Sequence, residues 1–278
     1  MSSLLNRFSP SALSGAVLLA LTGSSATAQE AVVERPAGGA YTQLFGGVGG
    51  TGTTRVQQQA VAFLPEAAGG PLSVNAIGTA GSKTLGVAGL NFGYEFSERC
   101  AALSRGWAVR PAAEFEVFYL GTTRDVNVLA PSERIPEHNF DDSFSINSAV
   151  FLANAVFTVR TPWERLTPYV GLGIGTTYQS VSGADSLQLD PPEAGINHFN
   201  SRTSATDWGF TTQLKAGARF NLTERLWVFS EYRLLTVDSA QFTFGSTQYA
   251  THVPTTPWTV NFGRTNQNLF VAGLGFRY

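Results

Sequence analysis

Apolar and polar residues alternate with period 2 in eight segments, and the connections between them alternate strictly between long and short. Together with an export-type leader, these features predict an all-β chain folded as an eight-stranded antiparallel up-and-down transmembrane β-barrel. The composition agrees. Of 278 residues, 43% are hydrophobic and 14% are charged, against roughly 25% charged in average globular chains. Gly 29 and Phe 20 are high, and Lys83 and Lys215 are the only lysines. The single cysteine excludes an internal disulfide framework. A net charge of −2 argues against charge-driven nucleic-acid binding.

Residues 1–28 read as a secretory signal. Arg7 supplies the positive start, residues 12–21 a short apolar core, and Ala26-Thr27-Ala28 a small-x-small cleavage pattern. That core is too short to span ~30 Å of hydrocarbon. Cleavage after Ala28 leaves residues 29–278 as the barrel domain, without Arg7 and therefore slightly more acidic. Cys100 lies far from the leader, which excludes a lipoprotein. No later apolar run reaches the ~18 residues of a transmembrane helix.

The predicted strands are 40–48, 84–96, 107–122, 144–159, 167–180, 207–220, 226–239 and 266–278. Three connections are short: 97–106, 161–166 and 221–225. Four are long: 49–83, 123–143, 181–206 and 240–265. A barrel whose rims face different compartments sorts its loops in this way, with short periplasmic turns and long external loops.

In 107–119 one parity carries Trp107, Val109, Phe115, Val117 and Tyr119, and the other Arg110, Glu114 and Glu116. Residues 170–178 and 210–220 repeat the pattern, with Val170, Leu172 and Ile174 opposed to Gly171, Gly173 and Gly175, and Phe210 and Leu214 opposed to Lys215 and Arg219. In a membrane barrel the apolar face meets lipid and the polar face lines the lumen. Trp107 and Tyr119 bracket an apolar face that spans roughly 30 Å along the axis at ~40° tilt, a spacing suited to two interfacial girdles. The lumen set is then Glu95, Arg110, Glu114, Glu116, Arg160, Lys215, Arg219, Glu231, Arg233 and Arg277. Two positions resist this register: Pro111 within a strand, and Trp227 with Phe229 on the parity of Glu231 and Arg233. Bulges near the periplasmic rim are expected to reconcile them.

The ending Phe270-Val271-Ala272-Gly273-Leu274-Gly275-Phe276-Arg277-Tyr278 resembles the C-terminal assembly signal of Gram-negative outer-membrane proteins. Gly273, Phe276 and Tyr278 match it, and Val271 stands where a polar residue is usual. The mature chain resembles the small outer-membrane β-barrel family of OmpA-like barrels and opacity-type surface proteins, with Pro168 to Gly175 and Glu231-Tyr232-Arg233 similar to its fifth and seventh strands. The resemblance implies a Gram-negative outer-membrane location, contact with outer-membrane lipid, and engagement of the barrel-assembly machinery by the last strand. OmpA proper continues into a peptidoglycan-binding domain, whereas the sequence stops at the last predicted strand, so that activity is not expected.

Eight strands leave a lumen that side chains can fill. The polar set therefore reads either as a structural ion-pair plug or as a narrow gated pore in which Glu231 or Glu114 exchanges between Arg219 and Arg233. Gly47 to Gly52 match the GxGxxG string but lack the βαβ context it requires. His138, His198 and His252 fall in the long loops. The run Ile196 to Ser201 places Asn and Ser in the wrong order for the His-x-Ser-Asn element of lipid A deacylases. His138 with Asp141 and Asp142 offers metal-ligand types, though a solvated loop is the plainer reading. Cys100 is expected as an unpaired thiol in the first periplasmic turn.

The expectation is a barrel with no catalytic, cofactor or metal site, with a structural or surface-interaction role (adhesion or envelope integrity) carried by loops open to an extracellular ligand. A low-conductance channel for small solutes is the alternative, and a lipid-modifying enzyme a remote one.

Overall fold

The computed structural model describes residues 38–97, 101–104, 107–131, 138–163 and 165–278. The leader and Cys100 lie outside the described residues. The strands in chain order are β1 (Gly39–Thr51), β2 (Thr54–Ala62), β3 (Leu72–Ala80), β4 (Lys83–Glu95), β5 (Ala101–Ser104), β6 (Trp107–Ala130), β7 (His138–Arg160), β8 (Leu166–Asp190), β9 (Ala205–Asn221), β10 (Leu226–Val237), β11 (Ala240–Thr243), β12 (Thr259–Phe262) and β13 (Thr265–Arg277). Every ladder is antiparallel. Eight of the strands pair in a closed ring, β1–β4–β6–β7–β8–β9–β10–β13, and β13 returns to β1 with Tyr41 opposite Arg277 and Thr51 opposite Gln267. Closure leaves no unpaired edge, which is what a strand protein needs where water is absent.

The eight predicted segments lie in the ring strands, but the predicted external loops also contain strand. The strands β6, β7 and β8 run for 24, 23 and 25 residues. At ~3.3 Å per residue and ~40° tilt, β6 rises roughly 60 Å along the axis, about twice the apolar band of a membrane barrel. The segment 49–83 contains the β2–β3 hairpin, and 240–265 contains β11 and β12. These build a second wall above the ring, in the order β11–β12–β2–β3–β6.

One strand explains why. On β6 the outward residues are apolar from Trp107 to Tyr119 and then turn polar through Thr123, Asp125 and Asn127. The inward residues do the reverse: Arg110, Glu114 and Glu116 give way to Phe118, Leu120, Val126, Val128 and Ala130. The lower half has lipid-type surface outside and charge within, while the upper half has water-type surface outside and an apolar core within. That core joins Val56, Phe140, Phe144, Phe199, Phe242, Phe244, Trp258 and Phe262 among others. The long segments therefore fold for the same reason that a soluble β-sandwich does.

Among the described residues, no bulge accompanies Pro111, Trp227 or Phe229. Both ladders of β10 run without a register shift, and Trp227 and Phe229 are buried inside the ring. They fit because Gly275 and Gly273 lie opposite them on β13. A Cβ on Gly275 would overlap the Trp227 ring, and one on Gly273 would sit 2.8 Å from the Phe229 ring. The same socket pairs Tyr41 with Gly93 and Tyr169 with Gly217. Pro111 lies on a continuous ladder to β7 and offers its carbonyl to the Phe96 N–H. That contact falls just beyond the end of β4, where the missing N–H interrupts no ladder.

Candidate functional site: a charged lumen beneath an apolar cap

Glu95, Arg110, Glu114, Glu116, Lys215, Arg219, Glu231 and Arg233 are all buried within the ring. They form three linked groups. Lys215 Nζ lies 2.5 Å from Glu114 Oε2 and 3.8 Å from Glu231 Oε2. Arg233 pairs with Glu116 at 2.6 Å and with Glu231 through its Nε. Arg219 lies 3.4 Å from both Glu114 and Glu95, and Glu95 also meets Arg110 at 3.6 Å and Arg277 at 3.4 Å. The pairings are thus Glu114 with Arg219 and Glu231 with Arg233. Arg160 stands half-buried at the end of β7.

Neutral groups complete the network, and only their parity marked them in the sequence. Tyr41 donates its hydroxyl to Glu114 Oε1 at 2.5 Å. Gln213 and Asn154 donate to Glu116 Oε2 at 2.9 and 3.2 Å. Aromatic faces cover the cations: Arg219 stacks on Tyr41, Tyr169 and Trp227, and Arg233 lies 4.1 Å from the centre of Phe45. Such stacking suits guanidinium, which is weakly hydrated. The glycine sockets supply the room, with Lys215 and Val156 over Gly171 and Asn154 over Gly173. Above the charges comes an apolar belt of Phe118, Leu85, Leu120, Leu152, Leu235 and Leu269. Along the lumen, paired charge comes first and hydrocarbon follows.

Higher still, the cap holds a cavity of about 300 Å³ walled by Leu64, Leu72, Val74, Phe140, Val253 and Trp258. Its polar lining comes from His138, Gln188, Glu193, His198 and His252. The segment after β8 carries Glu193 and His198 and continues as a seam, with Gly245 donating to the Arg202 carbonyl and Ala184 to that of Thr203. His198 is 2% exposed and packs edge-on against Phe140 and Trp258. Its Nδ1 lies 2.9 Å from the Ser186 carbonyl. Burial, opposed by that hydrogen bond, lowers its pKa and keeps the ring neutral. One ligand atom from each of Glu193, His198 and His252 lies within 4.8 Å of the others.

The metal grouping considered from sequence does not assemble. Asp141 and Asp142 are neighbours on β7 and point to opposite faces, the first exposed and the second fully buried. Sequence reading missed Glu193 and His252 as companions of His198. Glu193 sits five residues before His198 with no ligand motif to mark it, and His252 lies in a different predicted loop.

Comparison with known proteins bears on the whole chain. A family model described as an outer membrane protein beta-barrel domain matches residues 15–277. The Neisserial surface protein A structure is similar at 12% identity and TM-score 0.38, covering 86% of this chain and 97% of that one. OprG from Pseudomonas aeruginosa is similar at 12% identity and TM-score 0.41, with 86% and 97% covered. The Escherichia coli outer membrane protease OmpT is similar at 9% identity and TM-score 0.36, with 85% and 97% covered. No curated protein matches the sequence. The family match spans nearly the entire chain, including every ring strand: this chain belongs to the outer-membrane β-barrel protein family.

Proposed function

We propose that the eight-strand ring crosses the Gram-negative outer membrane as a sealed, non-catalytic anchor and carries a folded surface domain with a structural or interaction role. One observation carries this reading. The eight fully enclosed lumen charges, four carboxylates and four cations, pair within the ring, and Arg277 beside them also pairs with Glu95, so that among these described residues no charge is left without a counter-charge. A lumen of this kind is a plug, whereas a pore needs sites that bind weakly enough to release. The outward band of Leu44, Val48, Phe92, Phe115, Leu172, Ile174 and Phe270 meets lipid. The last strand, with Gly273, Phe276 and Tyr278, engages the assembly machinery. The cap meets an extracellular partner.

The test is planar-bilayer recording of refolded protein, with an unboiled-versus-boiled gel shift to confirm folding. Folded, inserted and silent protein is the expected result. Discrete conductance steps that change in Glu231→Gln or Arg233→Gln would overturn it in favour of a low-conductance channel.

A further inference from the structure

We propose that Glu193, His198 and His252 form a divalent transition-metal site of the Zn²⁺ type at the wall of the cap cavity. The surroundings of His198 fix the place of its proton. Its Nδ1 faces the Ser186 carbonyl at 2.9 Å, an acceptor, so the neutral ring carries its hydrogen there. The lone pair is then on Nε2, which lies 3.5 Å from Glu193 Oε2. Two acceptors facing each other are repulsive unless a cation stands between them. His252 brings its Nε2 to 3.1 Å from the same oxygen. Glu193 Oε2 is nevertheless buried without an aligned hydrogen bond, so neither imidazole contact satisfies it in the ordinary way.

The spacing is that of ligands around one ion. With metal–ligand bonds of about 2.0–2.1 Å, tetrahedral ligand atoms stand roughly 3.3 Å apart, between the two separations seen here. The Nδ1 contact to a backbone carbonyl is the usual outer support of a metal-bound histidine, since it fixes the tautomer and the ring plane. Edge contacts from Phe140 and Trp258 hold the same ring, and His252 lies edge-on to it at 5.3 Å. Two imidazoles and one carboxylate suit zinc and its neighbours rather than calcium or magnesium, which take oxygen-rich sets. Three protein ligands beside a cavity leave a coordination position facing open space, the arrangement of a site that accepts a further ligand. The site does not depend on whether the lumen conducts.

The test uses the folded mature protein in detergent micelles, without a histidine tag, stripped with chelator and titrated with Zn²⁺ by calorimetry and with Co²⁺ by visible absorption. Binding of one equivalent is expected, with Co²⁺ giving the intense bands of a low-coordinate site. Outer support residues alone are worth about 10–100-fold in affinity, so Glu193→Gln and His252→Gln should each weaken binding by at least about 100-fold. Both residues are partly exposed, and retained protease resistance confirms a folded cap. If either variant loses its cap, Glu193→Asp replaces it, with at least about tenfold weakening expected. Absence of saturable binding by the parent protein, or affinity unchanged across the variants, would overturn the site.

Discussion

Asp142 and Asp141 are chemically identical neighbours in opposite environments, and the difference sets a pH response. Asp142 points into the cap core, fully buried, with neither carboxylate oxygen accepting an aligned hydrogen bond. Burial, opposed by contact with the Ser186 hydroxyl and reinforced by Asp141 and Asp185, pushes its carboxyl from the ordinary 3.8 up to about 8. Below pH 3.8 the folded and unfolded states both hold the proton. Between there and about pH 8 only the folded state does, so the unfolded state gains by ionising. Stability therefore falls as pH rises, by about 1.4 kcal/mol per pH unit across that window, and levels off above it. Asp142→Asn should remove this slope. Near-UV circular dichroism melts from pH 5 to pH 8 should show the parent cap losing melting temperature steadily while the variant holds level. Parallel profiles would place the pH response elsewhere.

At the scale of the element, β6 carries two opposite face patterns, and the changeover is marked by Arg124. Its guanidinium donates to the Gly52 carbonyl at 3.1 Å, to the Gly81 carbonyl at 2.6 Å and to the Thr51 hydroxyl. Gly52 and Gly81 are where the chain leaves the ring for the β2–β3 hairpin and returns from it. A hydrogen bond to a charged group is worth about 1.5–3 kcal/mol. Arg124→Met should therefore speed amide exchange in β2 and β3 by about 10- to 100-fold while the β1–β13 ladder keeps its protection. Equal acceleration in both would refute the clamp. The changeover also accounts for what the sequence disclosed. The ring strands were legible because an apolar outer stripe faces charged inner residues, as on Phe115 and Val117 against Glu114 and Glu116. Above Gly121 the outer stripe turns polar, and the inner one becomes Val126, Val128 and Ala130. Read for a lipid-facing stripe, such a stretch passes for loop, although its alternation never stops. The parity of Arg110, Glu114, Glu116, Lys215 and Arg219 opposite apolar neighbours is plain in the sequence. Convergence of Glu193, His198 and His252 is not, because it depends on how three turns pack around the cap.

For the molecule as a whole, two cores stabilised by different solvents share one set of strands. The ring relies on closed ladders, an outward apolar band and internal ion pairs, and the cap on hydrocarbon removed from water. Phe144 reports on the second alone. Its ring packs on Phe199, Phe244 and Phe262 with centres 6.1, 5.8 and 5.2 Å away, all within the cap core. Truncation of a buried Phe costs about 3–5 kcal/mol, enough to open a local unit while the ladders below stay paired. Phe144→Ala should become protease-sensitive within the cap while keeping the unboiled gel shift of an intact ring. It should also stay silent in bilayers, because the Lys215, Arg219 and Arg233 network and the apolar belt above it still fill the lumen. A lost gel shift would mean that cap and ring fold as one cooperative unit. New conductance with an intact ring would instead identify the cap as the seal and the lumen network as a latent pathway.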